Sequence, residues 1–145
     1  MSADPITTSL SAIIEACYDD VTFEPGGGPS WERFRSLFLP QALLTLRLFP
    51  GDSEITVMDL ETYMVRQMRE GMKEAGYSET IVRRRDLVYR NIAETRVIFH
   101  MKFGDTAPYT ALNIFQLIHK AGRWWIVSVT SDILDPGEPI PADVV

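Results

Sequence analysis

The sequence predicts an α+β fold in which an antiparallel sheet packs against helices drawn from the N-terminal half. Two observations carry this. Up to residue 76 the apolar residues recur mainly at three- and four-residue spacing, the period of an amphipathic helix. From residue 79 onward, four runs rich in Val, Ile, Phe, Tyr, Thr and Trp follow one another across hairpin-length connections. Helices first and strands afterwards put the two kinds of element in separate layers. The 145 residues suit one domain, 1–145, with 1–5 and 135–145 read as extended tails.

The first helix is expected from Ile6 to Asp20. Leu10, Ile13, Ile14 and Cys17 share one face, Val21 continues the stripe, and Tyr18 borders it. Glu24-Pro25-Gly26-Gly27-Gly28-Pro29 then breaks the chain. Ser30 is placed to cap a short helix with Trp31, Phe34, Leu37 and Phe38 on one face, which Pro40 stops or redirects. Ala42 to Phe49 reads as a strand closed by the turn Pro50-Gly51-Asp52-Ser53. A third helix is expected from about Asp59 to Ala75, striped by Leu60, Tyr63, Met64, Met68 and Met72 and ended by Gly76. Strands follow at 79–90, 94–103, 109–120 and 123–133. Gly104–Pro108 and Ala121-Gly122 form the later turns. The prolines of Asp135–Pro141 cannot donate to a ladder, so that stretch reads as coil.

Composition removes several classes of function. Twenty acidic residues against fourteen basic ones give a charge of −6, which argues against a nucleic-acid partner. Cys17 is the one cysteine, so no disulfide within the chain and no multi-cysteine zinc site is expected. His100 and His119 stand far apart without paired carboxylates, so neither a metal nor another cofactor is expected. No apolar run approaches about 18 residues, which argues against a membrane span. Met1–Pro5 lacks a basic leader, and a cytoplasmic location is the expectation.

Three short motifs stand in a suggestive order: Leu37-Phe38-Leu39-Pro40-Gln41-Ala42, Asn113-Ile114-Phe115-Gln116-Leu117 and Gly122-Arg123-Trp124-Trp125-Ile126-Val127. With the closing Glu138-Pro139-Ile140-Pro141, they resemble an uncharacterised bacterial branch of the nuclear transport factor 2-like superfamily. That superfamily includes SnoaL-like polyketide cyclases, ketosteroid isomerases and scytalone dehydratases. The resemblance implies a strongly curved sheet wrapped around the helices as a cone with an internal pocket. It also implies a homodimer formed through the outer sheet face, and proton transfer by a carboxylate, histidine or tyrosine within the cone.

Strand parity then suggests which side chains face inward. If Ala121-Gly122 is a two-residue loop, Lys120 pairs with Arg123 and Leu117 with Ile126. Continued evenly, Phe115 meets Ser128, Asn113 meets Thr130 and Ala111 meets Asp132. This face gathers Asn113, Ser128, Thr130 and Asp132 among Phe115, Leu117 and Ile126. A few convergent polar groups on an apolar wall suit a small, largely hydrophobic organic ligand. A one-residue slip or a bulge in either strand inverts the assignment.

The candidate acid/base groups are Asp132 and Glu79. Apolar walls can raise a carboxyl's pKa toward neutrality. Asp132, near a strand end, reads equally well as a solvated residue; Glu79 alternatively bonds a neighbouring loop. The candidate ligand-binding set is Tyr18, Tyr63, Met64, Phe99, Asn113, Phe115, Ser128 and Thr130. Core packing is the competing account of the tyrosines and of Met64. The reading is a ligand-binding chain that acts as a cofactor-free isomerase, cyclase or dehydratase, or else a non-catalytic sensing or association module.

Overall fold

A computed structural model describes residues 4–145. The expected first helix is divided at Ser9 into α1 (Pro5–Thr8) and α2 (Leu10–Val21). Ser9 is extended, and its hydroxyl accepts the Ala12 N–H at 3.2 Å, capping α2. Asp4 caps α1 in the same way through Ile6 at 2.9 Å. The expected tail 1–5 therefore ends at a helix; Met1 to Ala3 lie outside the described residues.

The short helix α3 (Trp31–Ser36) is present, although Ser30 makes no side-chain cap bond. Pro40 does not end it. Strand β1 (Phe38–Leu46) starts earlier and carries Pro40 inside it. There the pairing is irregular: Phe38 meets Ile126, and regular register resumes only at Leu43 with Ser128. A short strand unforeseen in the sequence, β2 (Thr56–Asp59), pairs antiparallel with β1. Asp59 caps α4 (Leu60–Gln67) by accepting the Thr62 N–H at 2.7 Å.

The long third helix is broken. Met68 leaves helical geometry, Gly71 adopts φ +84°, and α5 (Met72–Ala75) starts anew before Gly76. The remaining strands are β3 (Tyr77–Tyr89), β4 (Ile92–Phe103), β5 (Tyr109–Lys120) and β6 (Arg123–Ile133). They form one open sheet in the order β2-β1-β6-β5-β4-β3, antiparallel except where β1 runs parallel to β6.

The inner face covers the helices. Ile13, Ile14, Phe34, Phe115, Leu117 and Ile126 are fully enclosed there. Phe34 joins the layers, tilted on Phe38 at 4.8 Å and stacked on Tyr63 at 5.6 Å. The outer face is partly covered by the irregular segment after β6: the Arg96 guanidinium donates to the Val144 carbonyl at 3.4 Å, and Ile98 is buried.

The β5–β6 hairpin turns through Ala121 (φ 53°) and Gly122 (φ 79°), as a two-residue left-handed loop requires. Lys120 pairs with Arg123 and Leu117 with Ile126, as the parity argument expects. A bulge follows. Gln116 then pairs with Ser128, so Val127 is the extra residue. Every later residue of β6 changes face.

Candidate functional site

Val127 decides which groups reach the interior. Beyond it, Asn113 pairs with Ser131, Phe115 with Val129 and Ala111 with Ile133. Val129, Ser131 and Ile133 are buried and line the interior, which corrects the inward assignment of Ser128, Thr130 and Asp132. Those three lie on the outer face. Ser128 contacts Gln116 across the strands, Thr130 is exposed, and the Asp132 carboxylate pairs with Arg47 at 2.7 Å. Asp132 is therefore no acid/base of the interior.

Between the helices and the sheet lies a cavity of about 40 Å³, room for a few water molecules. Tyr18, Tyr63, Phe99, Asn113 and Phe115 line it, whereas Met64 is buried in the core and does not. Glu79 and Tyr77 line it from β3, two residues apart and so on the same face of the strand.

The end of α2 is stitched to that strand. Phe23 and Tyr77 exchange backbone hydrogen bonds at 2.9 and 3.1 Å, and the Glu79 N–H donates to the Thr22 hydroxyl at 3.0 Å. These ties hold Glu79 opposite Cys17 and Tyr18 of α2. The Tyr77 hydroxyl donates to the Glu79 carboxylate, and Gln67 lines the same cavity from α4. On the far wall, the Asn113 amide donates to the Tyr18 oxygen at 2.9 Å. That contact leaves the Tyr18 proton free to donate elsewhere.

Burial dominates the electrostatics. It pushes Glu79 up to about 7, although the Tyr77 hydrogen bond pulls the other way. Burial also drives Tyr18, Tyr63 and Tyr77 well above the ordinary phenol range, with the Glu79 charge adding to each. The phenols therefore remain protonated donors at neutral pH. Cys17 is raised by burial as well and is held as a thiol.

Tyr77, Gln67, Arg47 and Ser131 are wall residues that the sequence reading missed. Two of them carried a signal. Tyr77 shares the parity of Glu79, and Gln67 follows Tyr63 by four residues, a polar group on the apolar stripe of a helix. His100 lies on the outer side of β4 beside Thr110, and His119 packs edge-on against Trp124. Among the described residues no three of His, Cys, Asp and Glu come together to hold a metal ion, and no helix is long and apolar enough to cross a membrane.

No protein-family model and no curated protein matches the sequence. Solved structures do match. A protein of unknown function with a cystatin-like fold from Nostoc punctiforme superposes with TM-score 0.66 at 9% identity, covering 90% of this chain and 91% of that one. A proposed dehydratase of the NTF2-like family from Streptomyces avermitilis gives 0.63 at 11%, covering 86% and 93%. A candidate calcium/calmodulin-dependent protein kinase type II association domain from Thiobacillus denitrificans gives 0.66 at 13%, covering 91% and 100%. At such identities the likeness shows the fold, and the fold is shared almost end to end.

Proposed function

We propose, from the nuclear transport factor 2-like fold of this chain, that it binds a small and largely hydrophobic organic molecule in the cavity and acts on it by proton transfer. Glu79 is the acid/base, and the phenols of Tyr18 and Tyr63 are the donors. The observation that carries the reading is the Glu79–Tyr77 contact inside the cavity wall.

A carboxyl that titrates near 7 is present in both forms at neutral pH, so it can take a proton and give it back. As a base, Glu79 would remove a proton from carbon beside a carbonyl. Negative charge then develops on the carbonyl oxygen. A phenol proton placed in a water-poor cavity stabilises that charge better than solvent does. Returning the proton to another carbon isomerises the substrate. Giving it to a leaving hydroxyl dehydrates the substrate, the reaction class proposed for the Streptomyces avermitilis protein. Neither route asks for a cofactor. A thermal-shift and turnover screen over small carbonyl and polyketide-like compounds tests the reading: Glu79→Gln should keep binding a hit and lose its turnover. Turnover unaffected by that substitution overturns it.

A second reading, a non-catalytic association module, is favoured by one surface feature. Leu87, Tyr89 and Ile92 stand 57–69% exposed on the outer side of the β3–β4 hairpin. In this reading that hairpin meets a second copy of the chain, and the cavity senses a ligand. The two readings are separable, because turnover depends on Glu79 and self-association on the hairpin.

A further inference from the structure

At about 40 Å³ the cavity is far smaller than the several hundred Å³ an organic ligand fills, so the place where it meets the surface matters. Arg47, one residue beyond β1, lines the cavity and also a rim pocket of about 270 Å³ bounded by Pro50, Tyr109 and Pro136. A second pocket of about 540 Å³ shares those three residues and extends over Phe103. The space outside is thus roomy, with Phe103, Tyr109 and prolines beside the charged Arg69, Asp135 and Glu138, and it meets the interior at the shared residues Arg47 and Ile133.

What holds Arg47 across the opening is the end of β6. Its Nε donates to the Asp132 carboxylate at 2.8 Å, and Nη2 donates to the Ile133 carbonyl at 2.7 Å. Asp132 can do this because the bulge at Val127 turned it outward; in unbroken register its carboxylate would point into the cavity. The Arg47 side chain is 22% exposed and that of Asp132 60%. An ion pair so exposed on its acidic side holds only weakly. Opening takes rotation of a long side chain that breaks both this pair and the bond to the Ile133 carbonyl.

We infer that Arg47 gates the cavity. The ligand passes from the rim when the Arg47–Asp132 pair opens, and its apolar body rests over Tyr109 and Phe103 while its polar end reaches Glu79. The inference rests on the cavity being the ligand site. It extends that reading to an elongated ligand, longer than the cavity of about 40 Å³ can hold.

Cys17 supplies the test, because it is the chain's one cysteine and lies in the cavity wall. Methyl methanethiosulfonate is a small neutral probe: the thiolate attacks its sulfenyl sulfur, a methyl disulfide forms and methanesulfinate leaves. The rate of the mass shift on the native full chain depends on access and on the Cys17 thiolate fraction, so each variant is compared through its pH–rate profile, whose plateau reads access. Asp132→Asn and Arg47→Met, the latter keeping the aliphatic stem, should each label roughly five-fold faster or more at an unchanged unfolding midpoint. Glu61→Gln breaks the remote Arg35–Glu61 pair and should label at the native rate.

If the gate variants fail to fold, the native chain decides. Its labelling should quicken several-fold between about 0.05 and about 1 M NaCl as the half-exposed pair is screened. A flat salt response overturns the inference. So does labelling of both gate variants at the native rate, an equal gain in Glu61→Gln, or a rate that follows global unfolding in denaturant. A gate that opens on a cavity with no turnover leaves this inference standing and removes only the catalytic reading.

Discussion

Tyr77 donates its phenol proton to Glu79, its neighbour two residues along β3, and both side chains line the cavity. Burial of that carboxyl has an energetic cost, which the Tyr77 hydrogen bond partly offsets. A carboxyl held near 7 is stabilised in its neutral form by the fold and is strained when it ionises.

The sign of the resulting pH dependence follows. Below about 4.3, the ordinary glutamate value, Glu79 is protonated whether the chain is folded or not. Between there and about 7 the unfolded chain releases the proton while the folded chain keeps it, so stability falls as pH rises. Above 7 the loss is complete. Glu79→Gln removes this titration. Urea unfolding should find native and variant closest near pH 4, with the variant more stable at pH 8 by roughly 2–4 kcal/mol.

The contact between Asn113 and Tyr18 makes a separate prediction. Tyr18→Phe deletes the acceptor of a buried amide and leaves its N–H unsatisfied. Denaturant unfolding should show a loss of about 1–3 kcal/mol. In a chain with turnover, the same change should lower kcat by removing a donor to the developing oxygen charge.

The bulge at Val127 is testable by comparing neighbours. Thr130 is exposed, whereas Ser131 is 6% exposed and faces the interior. Thr130→Lys should change stability by about 0.5 kcal/mol or less. Ser131→Lys should cost at least about 3 kcal/mol, because it buries an unpaired charge. Thermal or denaturant unfolding of the two variants reads the register directly, and reversed costs would mean that the even pairing holds after all.

That bulge also marks the limit of what was legible in the sequence. Strand periodicity located β3 to β6 closely, and the Ala121-Gly122 turn set the register of the last hairpin correctly as far as Leu117 and Ile126. A bulge is a choice of backbone geometry between two otherwise regular strands, and Trp125-Ile126-Val127-Ser128 gives it no signature. One unseen residue therefore exchanged Ser128, Thr130 and Asp132 for Val129, Ser131 and Ile133. The break at Met68 was hidden for a related reason. Met64, Met68 and Met72 keep helical spacing across it, and Gly71, which takes the positive φ, was read as an ordinary helix position. Glu79, Tyr18, Tyr63, Phe99, Asn113 and Phe115 were legible because each precedes or escapes these irregularities.

The exposed hairpin carries the prediction about association. Light scattering of the full chain should give twice the chain mass, and Ile92→Lys, which puts a charge among Leu87, Tyr89 and Ile92, should return it to one. A chain that is monomeric before the substitution contradicts the second-copy reading.

The central claim is that the cavity holds a carboxyl poised to exchange a proton at neutral pH. A carbon-13 NMR titration of the Glu79 side-chain carboxyl, assigned by its disappearance in Glu79→Gln, measures this without a substrate. The account expects a midpoint near 7. A midpoint near the ordinary glutamate value of about 4.3 would contradict it and leave Glu79 a structural partner of Tyr77.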